Sequence, residues 1–217
     1  EDDTDGLLLE VLGHVIDCNA TDSDNSYIVE SELHLILAIS AKEPSNIQSV
    51  VESQTCLDKL LKNLDTKNYA KYAEECLPSF LKVMEGSKNT EYSYSPILSL
   101  ILQFLDVFMN RRPTDGKLPP SISNFVFQPL KDILFRSIDD EILQLATSAF
   151  SHLVYNTDAS VLAPHLQEVV HILDKLLSFD VSDTAAQHSG SLIVTIFTRF
   201  PNEIQGMVPV ILKAVTG

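Results

Sequence analysis

Residues 74–85 read "EECLPSFLKVME", and the proline in the middle of that stretch decides the fold. Cys76, Leu77, Phe80, Leu81 and Met84 recur at the three-and-four spacing of one buried helical face. Pro78 lies inside the stripe, where a missing N–H and a ring clash cost about 3 kcal/mol in a helix interior. The segment therefore reads as a helix that begins near Pro78 or one that kinks there.

The pattern recurs. Pro129 stands ahead of Leu130, Ile133 and Leu134, and Pro164 ahead of Leu166, Val169, Val170 and Leu173. Pro209 stands ahead of Ile211, Leu212 and Val215. The four prolines lie 51, 35 and 45 residues apart, which averages near the roughly 40–47-residue period of HEAT and armadillo arrays. A proline marking the second helix of each pair is punctuation in a repeat.

Composition permits such an array. The 217 residues are 45% hydrophobic and 21% charged, enough apolar material for a continuous core and too much for a disordered chain. No apolar run approaches the roughly 18 residues needed to span a bilayer. The chain starts "EDDTD" without methionine, which reads as the cut end of a longer protein. Cys18, Cys56 and Cys76 sit apart within helical stripes and read as buried thiols of a reducing compartment. A net charge of −15 repels nucleic acid and anionic membrane and attracts basic proteins.

Ten helical segments can be placed, in five pairs: 6–19 with 27–42, 46–64 with 69–86, 96–110 with 121–137, 139–156 with 164–179, and 183–199 with 202–215. They group into units of about 6–42, 45–86, 94–137, 139–179 and 181–216, with Ser45 a candidate N-cap. Each helix buries one stripe, so stability comes from stacking on the neighbouring pair. The expected fold is all-α, a single α-solenoid of about five HEAT-type hairpins with first helices on one surface and second helices on the other. Leu81 and Leu173 are expected in its core. A compact helical bundle is the competing architecture, because helix number does not fix connectivity.

Motifs for catalysis are weak. There is no Gly-rich phosphate loop, and His165 and His171 are six apart, so they diverge on one helix and share no metal. His188 and Ser189 are adjacent and diverge by about 100°, and Gly190 reads as a close helix-packing position. Asp139 and Asp140 read as the cap and first-turn charge of a helix. The loop "NRRPTDGKLPP", with Arg111, Arg112 and Lys117, is the one basic stretch and reads as a solvated connection or a secondary contact. No catalytic, metal or cofactor site is expected.

The second helices carry acidic residues: Glu30 and Glu32, then Glu74, Glu75 and Glu85, then Asp132, then Glu168 and Asp174. Stacked equivalents would align these into a stripe. Glu74, Glu75, Asp132, Glu168 and Asp174 are the candidate partner-facing surface, and an ordinary solvated face is the alternative reading.

"FQPLKDILFRSIDDEILQLATSAFSHLV" and "LLSFDVSDTAAQHSGSLIVTIFTRF" resemble segments of the importin β (karyopherin β) superfamily, in the branch of importin-9 and karyopherin-114. The likeness rests on Leu176, Leu177, Asp183, Ala186, Gly190, Leu192 and Ile193, while Gln187, His188 and Ser189 are more polar than that pattern. The order and spacing of the pairs resemble the middle-to-late part of such a receptor. The resemblance implies a non-enzymatic carrier that shuttles between cytoplasm and nucleus. It implies basic cargo such as histones or the TATA-binding protein, release by Ran-GTP, and weak contacts with Phe-Gly nucleoporins. A HEAT scaffold that holds a cytosolic complex together is the alternative.

Overall fold

The computed structural model describes residues 47–62, 64–86, 92, 94–113, 116–177, 183–202, 204–206, 208, 209 and 212. The side chains of residues 47–50, 52, 75, 79, 83 and 183–188 fall outside the description. The expected first pair, with Cys18, Glu30 and Glu32, and the expected cap Ser45 of the second unit lie outside the described residues.

Seven helices carry the architecture of the described part: α1 (Ile47–Leu61), α2 (Thr66–Gly86), α3 (Pro96–Asn110), α4 (Pro120–Arg136), α5 (Asp140–Asn156), α6 (Leu166–Leu176) and α7 (Asp183–Arg199). Their starts follow local chemistry. The Ser95 hydroxyl accepts from the Leu98 N–H at 3.1 Å, with Pro96 in the first turn of α3. The Asp139 carboxylate accepts from the Ile142 N–H at 3.1 Å, while Asp140 and Glu141 face the positive end of α5. Before α6 the chain makes one helical turn, Ala159–Leu162, and a 3₁₀ turn, Ala163–His165, that carries Pro164.

Pro78 and Pro129 lie inside their helices, as the expected segments 69–86 and 121–137 place them. α2 runs unbroken from Thr66 through Pro78, and α4 from Pro120 through Pro129. Neither helix begins at its marked proline. Pro78 is exposed, whereas Leu77, Phe80 and Leu81 are buried. A proline on the solvent side leaves the carbonyl one turn earlier open to water, which makes the interior position tolerable.

Contacts build two layers. α1 meets α3, α3 meets α5, and α5 meets α7; in the second layer α2 meets α4 and α4 meets α6. Contacts of α2 with α3, α4 with α5 and α6 with α7 join the layers. This is the stacking of an α-solenoid rather than a closed bundle. No β-strand occurs among the described residues; one isolated bridge joins Leu118, in the α3–α4 loop, to Thr157, in the α5–α6 loop of the next unit.

The core is continuous along the array. Tyr69, Phe80 and Phe108 meet between α2 and α3, with ring centres 6.3 Å apart in two edge-on pairs. Phe127 of α4 packs on Phe150 of α5 at 5.4 Å and on His165 at 4.6 Å. Leu81 and Leu173 are both buried, as expected. Cys56 and Cys76 are buried and form no disulfide.

Polar side chains lock successive units at the helix ends. The Asn156 amide donates to the Met109 carbonyl at 2.8 Å and the Asn110 carbonyl at 3.2 Å, closing the end of α3. Arg199 repeats the move one unit later, donating to Val154 and to Tyr155, the latter at 2.7 Å. The fully buried Tyr69 hydroxyl donates to the Phe108 carbonyl, and burial raises its pKa. These bonds satisfy carbonyls that a helix end leaves without partners.

Candidate functional site

The acidic residues of the second helices are not equivalent. Glu74 on α2 and Asp174 on α6 are exposed. Glu75 lies in α2, with its side chain outside the described residues. Glu168 is engaged: it accepts from the Lys131 ammonium of α4, and its second oxygen lies 3.1 Å from His165 Nδ1. The Lys131 bond, then the His165 bond, hold its carboxyl below the ordinary glutamate value. Glu168 therefore ties α4 to α6.

Asp132 is half-buried in a groove of about 350 Å³ between α2 and α4. Pro78, Leu81, Lys82 and Glu85 form one wall, and Phe125, Gln128, Pro129 and Asp132 the other. Each set follows helical spacing, so each is one face of its helix. Phe125 is 47% exposed, a large aromatic side chain open to solvent.

The groove has direction. The Tyr92 hydroxyl, just beyond α2, is pushed up to about 12 by burial, and the charges of Asp132 and Glu85 add to the rise while Arg136 opposes it. Glu85 and Asp132 therefore share the Tyr92 end. The Ser137 hydroxyl, beyond α4, donates to the Tyr92 carbonyl at 3.0 Å, so the ends of α2 and α4 coincide. Tyr92 itself has φ 52°, a left-handed conformation unusual for a bulky residue, and its side chain is fully buried. Pro78 and Phe125 sit at the opposite end, roughly 10 Å away at 1.5 Å per residue. One end is apolar and the other carries carboxylates, a surface suited to holding an extended segment.

The other sequence candidates resolve as follows. Asp139 caps α5 as expected. His171 is exposed, and His165 stacks on Phe127. Gly190 is exposed, and a Cβ there would meet nothing within 4 Å, so it does not serve close helix packing. Ser189 is buried. The sequence reading missed Phe125 and Gln128. Phe125 lies off the stripe of Leu130, Ile133 and Leu134, and an apolar residue off-stripe was the available signal.

The chain is 47% identical over 216 residues to importin subunit beta-5 of Saccharomyces cerevisiae. The match covers 99% of this chain and 22% of that protein's length. No protein-family model matches the chain. The chain belongs to the importin β superfamily, and its two-layered helices are those of a HEAT-repeat solenoid.

Proposed function

We propose that the chain forms part of a nuclear import receptor and that its second-helix face helps to hold a basic protein cargo. The observation that carries this reading is the 47% identity to importin subunit beta-5 along almost the whole chain. The reading is of a carrier without cofactor or catalytic step. Its cargo is a basic protein such as a histone or the TATA-binding protein, released when Ran-GTP binds the full-length receptor. Passage between cytoplasm and nucleus proceeds through weak contacts with Phe-Gly nucleoporins.

Electrostatics supports the same assignment. A chain of net charge −15 attracts a basic partner over a Debye length of about 8 Å at physiological salt. Exposed pairs contribute about 0.2–1 kcal/mol each, so affinity is spread over many carboxylates. Because Glu168 is already bound by Lys131, the exposed Glu74 and Asp174 are the sensitive positions.

The test is Glu74→Lys with Asp174→Lys in the full-length receptor. Binding of a core histone pair weakens about threefold to tenfold at low salt, and the loss shrinks as salt rises. Ran-GTP binding stays unchanged. Histone binding equal to that of the parent at low salt would make these carboxylates ordinary solvated surface.

A further inference from the structure

The basic loop that no cargo reading absorbs is not isolated in space. Lys117, between α3 and α4, places its ammonium 5.6 Å from the centre of the Tyr155 ring at the end of α5. Arg199, at the end of α7, donates to the Tyr155 carbonyl at 2.7 Å, so two cations converge on one residue. Arg112 completes the group. Burial, then the charges of Arg199 and Arg112, lower the Lys117 pKa, which puts each of the two arginines within electrostatic reach of Lys117. Asp158 is the carboxylate that opposes them there.

The arrangement is costly as it stands. Like charges gathered on one edge repel, and neither Lys117 nor Arg112 has an ion pair among the described residues. Asp158 turns its carboxylate to the Ser160 N–H at 2.9 Å and the Ser160 hydroxyl at 2.6 Å instead. The Tyr155 ring, 54% exposed, lies beside the cations as an apolar platform. Stacking of equivalent loops of successive units holds the cluster: Leu118 donates to the Asn156 carbonyl at 3.0 Å, and Arg199 closes the end of α5.

We propose that Arg112, Lys117 and Arg199, with Tyr155, form a binding site for an acidic peptide segment of a partner protein. The site is separate from the second-helix face and works with the opposite sign of charge. Charge complementarity names the class of ligand. A local excess of cations on a chain of net charge −15 favours a short acidic stretch that contacts this edge alone. A nucleic acid strand would bring further phosphates against the surrounding negative surface, which disfavours it.

The test uses the full-length receptor and a labelled peptide of Glu and Asp residues in a Gly/Ser background, titrated at low and moderate salt. Arg112→Glu with Lys117→Glu should weaken the peptide about tenfold, with the difference falling as salt rises. Arg199 is left intact because it also caps α5. Arg112 is exposed, so Arg112→Glu alone provides a variant whose fold is not at risk, with a loss of about threefold. A single-stranded DNA of equal length is the second arm. Parent-like peptide binding in both variants, or DNA binding more tightly than peptide, overturns the proposal. Histone binding is measured alongside: its loss in Glu74→Lys with Asp174→Lys, with acidic-peptide binding intact, separates the two sites.

Discussion

The two helix layers of this solenoid are built by different means. In the first layer, α1, α3 and α5 interlock through a polar ladder over the apolar core. Gln54 donates to Gln103 at 2.8 Å, Gln103 to Ser99 at 3.1 Å, and Ser99 to Glu141 at 3.2 Å. One turn along, Asp106 accepts from Ser148 at 2.8 Å and lies 2.9 Å from His152 Nδ1. In the second layer, α2 and α4 leave an open groove, and α4 and α6 are joined at the surface by Lys131 and Glu168. The helices of the first layer are tied side to side by complementary polar side chains, whereas α2 and α4 of the second part to leave a groove. A repeat array can thus tie its helices tightly in one layer and leave a groove in the other.

The largest expected difference tests that division in the core. Phe150 of α5 is fully buried against Phe127, so Phe150→Ala should cost about 3–5 kcal/mol in denaturant unfolding. Leu173→Ala should cost about 2–5 kcal/mol. Leu81 lines the groove, so Leu81→Ala should fall at the low end of that range, because water can enter the space left behind. Equal losses at Phe150 and Leu81 would mean that the groove wall is as closed as the first layer. The damage should stay local, since each unit contacts only its neighbours.

The next effect is smaller and concerns helix ends. Asn156→Ala removes the donors that serve the Met109 and Asn110 carbonyls, leaving partly buried acceptors unpaired. The expected loss is about 1–3 kcal/mol. Lys175 plays the corresponding part in the second layer, donating to the Leu134 carbonyl at 2.6 Å and the Ser137 carbonyl at 3.1 Å. Burial lowers its pKa, so desolvation opposes the charge that makes those bonds. Lys175→Met should therefore cost less than Asn156→Ala, and a larger loss at Lys175 would reverse the ranking of the layers.

Much of this was legible in the sequence because the period of the apolar stripes dictates the helices. The expected segment 96–110 coincides with α3, and 121–137 is displaced by one residue at each end from α4. The prolines were the open point. Their recurrence marked the second helices, with Pro78 and Pro129 inside the expected segments 69–86 and 121–137, but the stripe alone does not decide whether a helix begins or continues at Pro78. Which face Pro78 occupies depends on its neighbours in space, and only its exposure explains why α2 continues through it. The acidic residues show the same limit. Glu168 and Asp174 look alike in sequence, and only the position of Lys131 on another helix separates a bound carboxylate from an open one. Arg199 is likewise far along the chain from Lys117, so their convergence follows from the stacking of units and not from a motif.

The smallest expected effect isolates the link between α4 and α6. Glu168 has its folded-state pKa lowered from the ordinary value near 4.5, first by Lys131 and then by His165. A depressed acid contributes stability above its unfolded pKa and loses it as the pH falls through the folded value. The contribution of Glu168 is therefore complete near neutral pH and disappears below the usual glutamate range. Both partners are partly open to solvent, so the pair contributes only about 0.2–1 kcal/mol. Lys131→Met should destabilise the protein by about that amount near neutral pH, and less at higher salt. Unfolding curves of parent and variant should converge as the medium is acidified below the glutamate range, because protonation removes in the parent what the mutation removes in the variant. A gap that stays constant across that range would mean that Lys131 acts through the packing of its aliphatic stem. The second layer would then be held by the same apolar contacts as the first, and the contrast between the two layers would narrow to the groove alone.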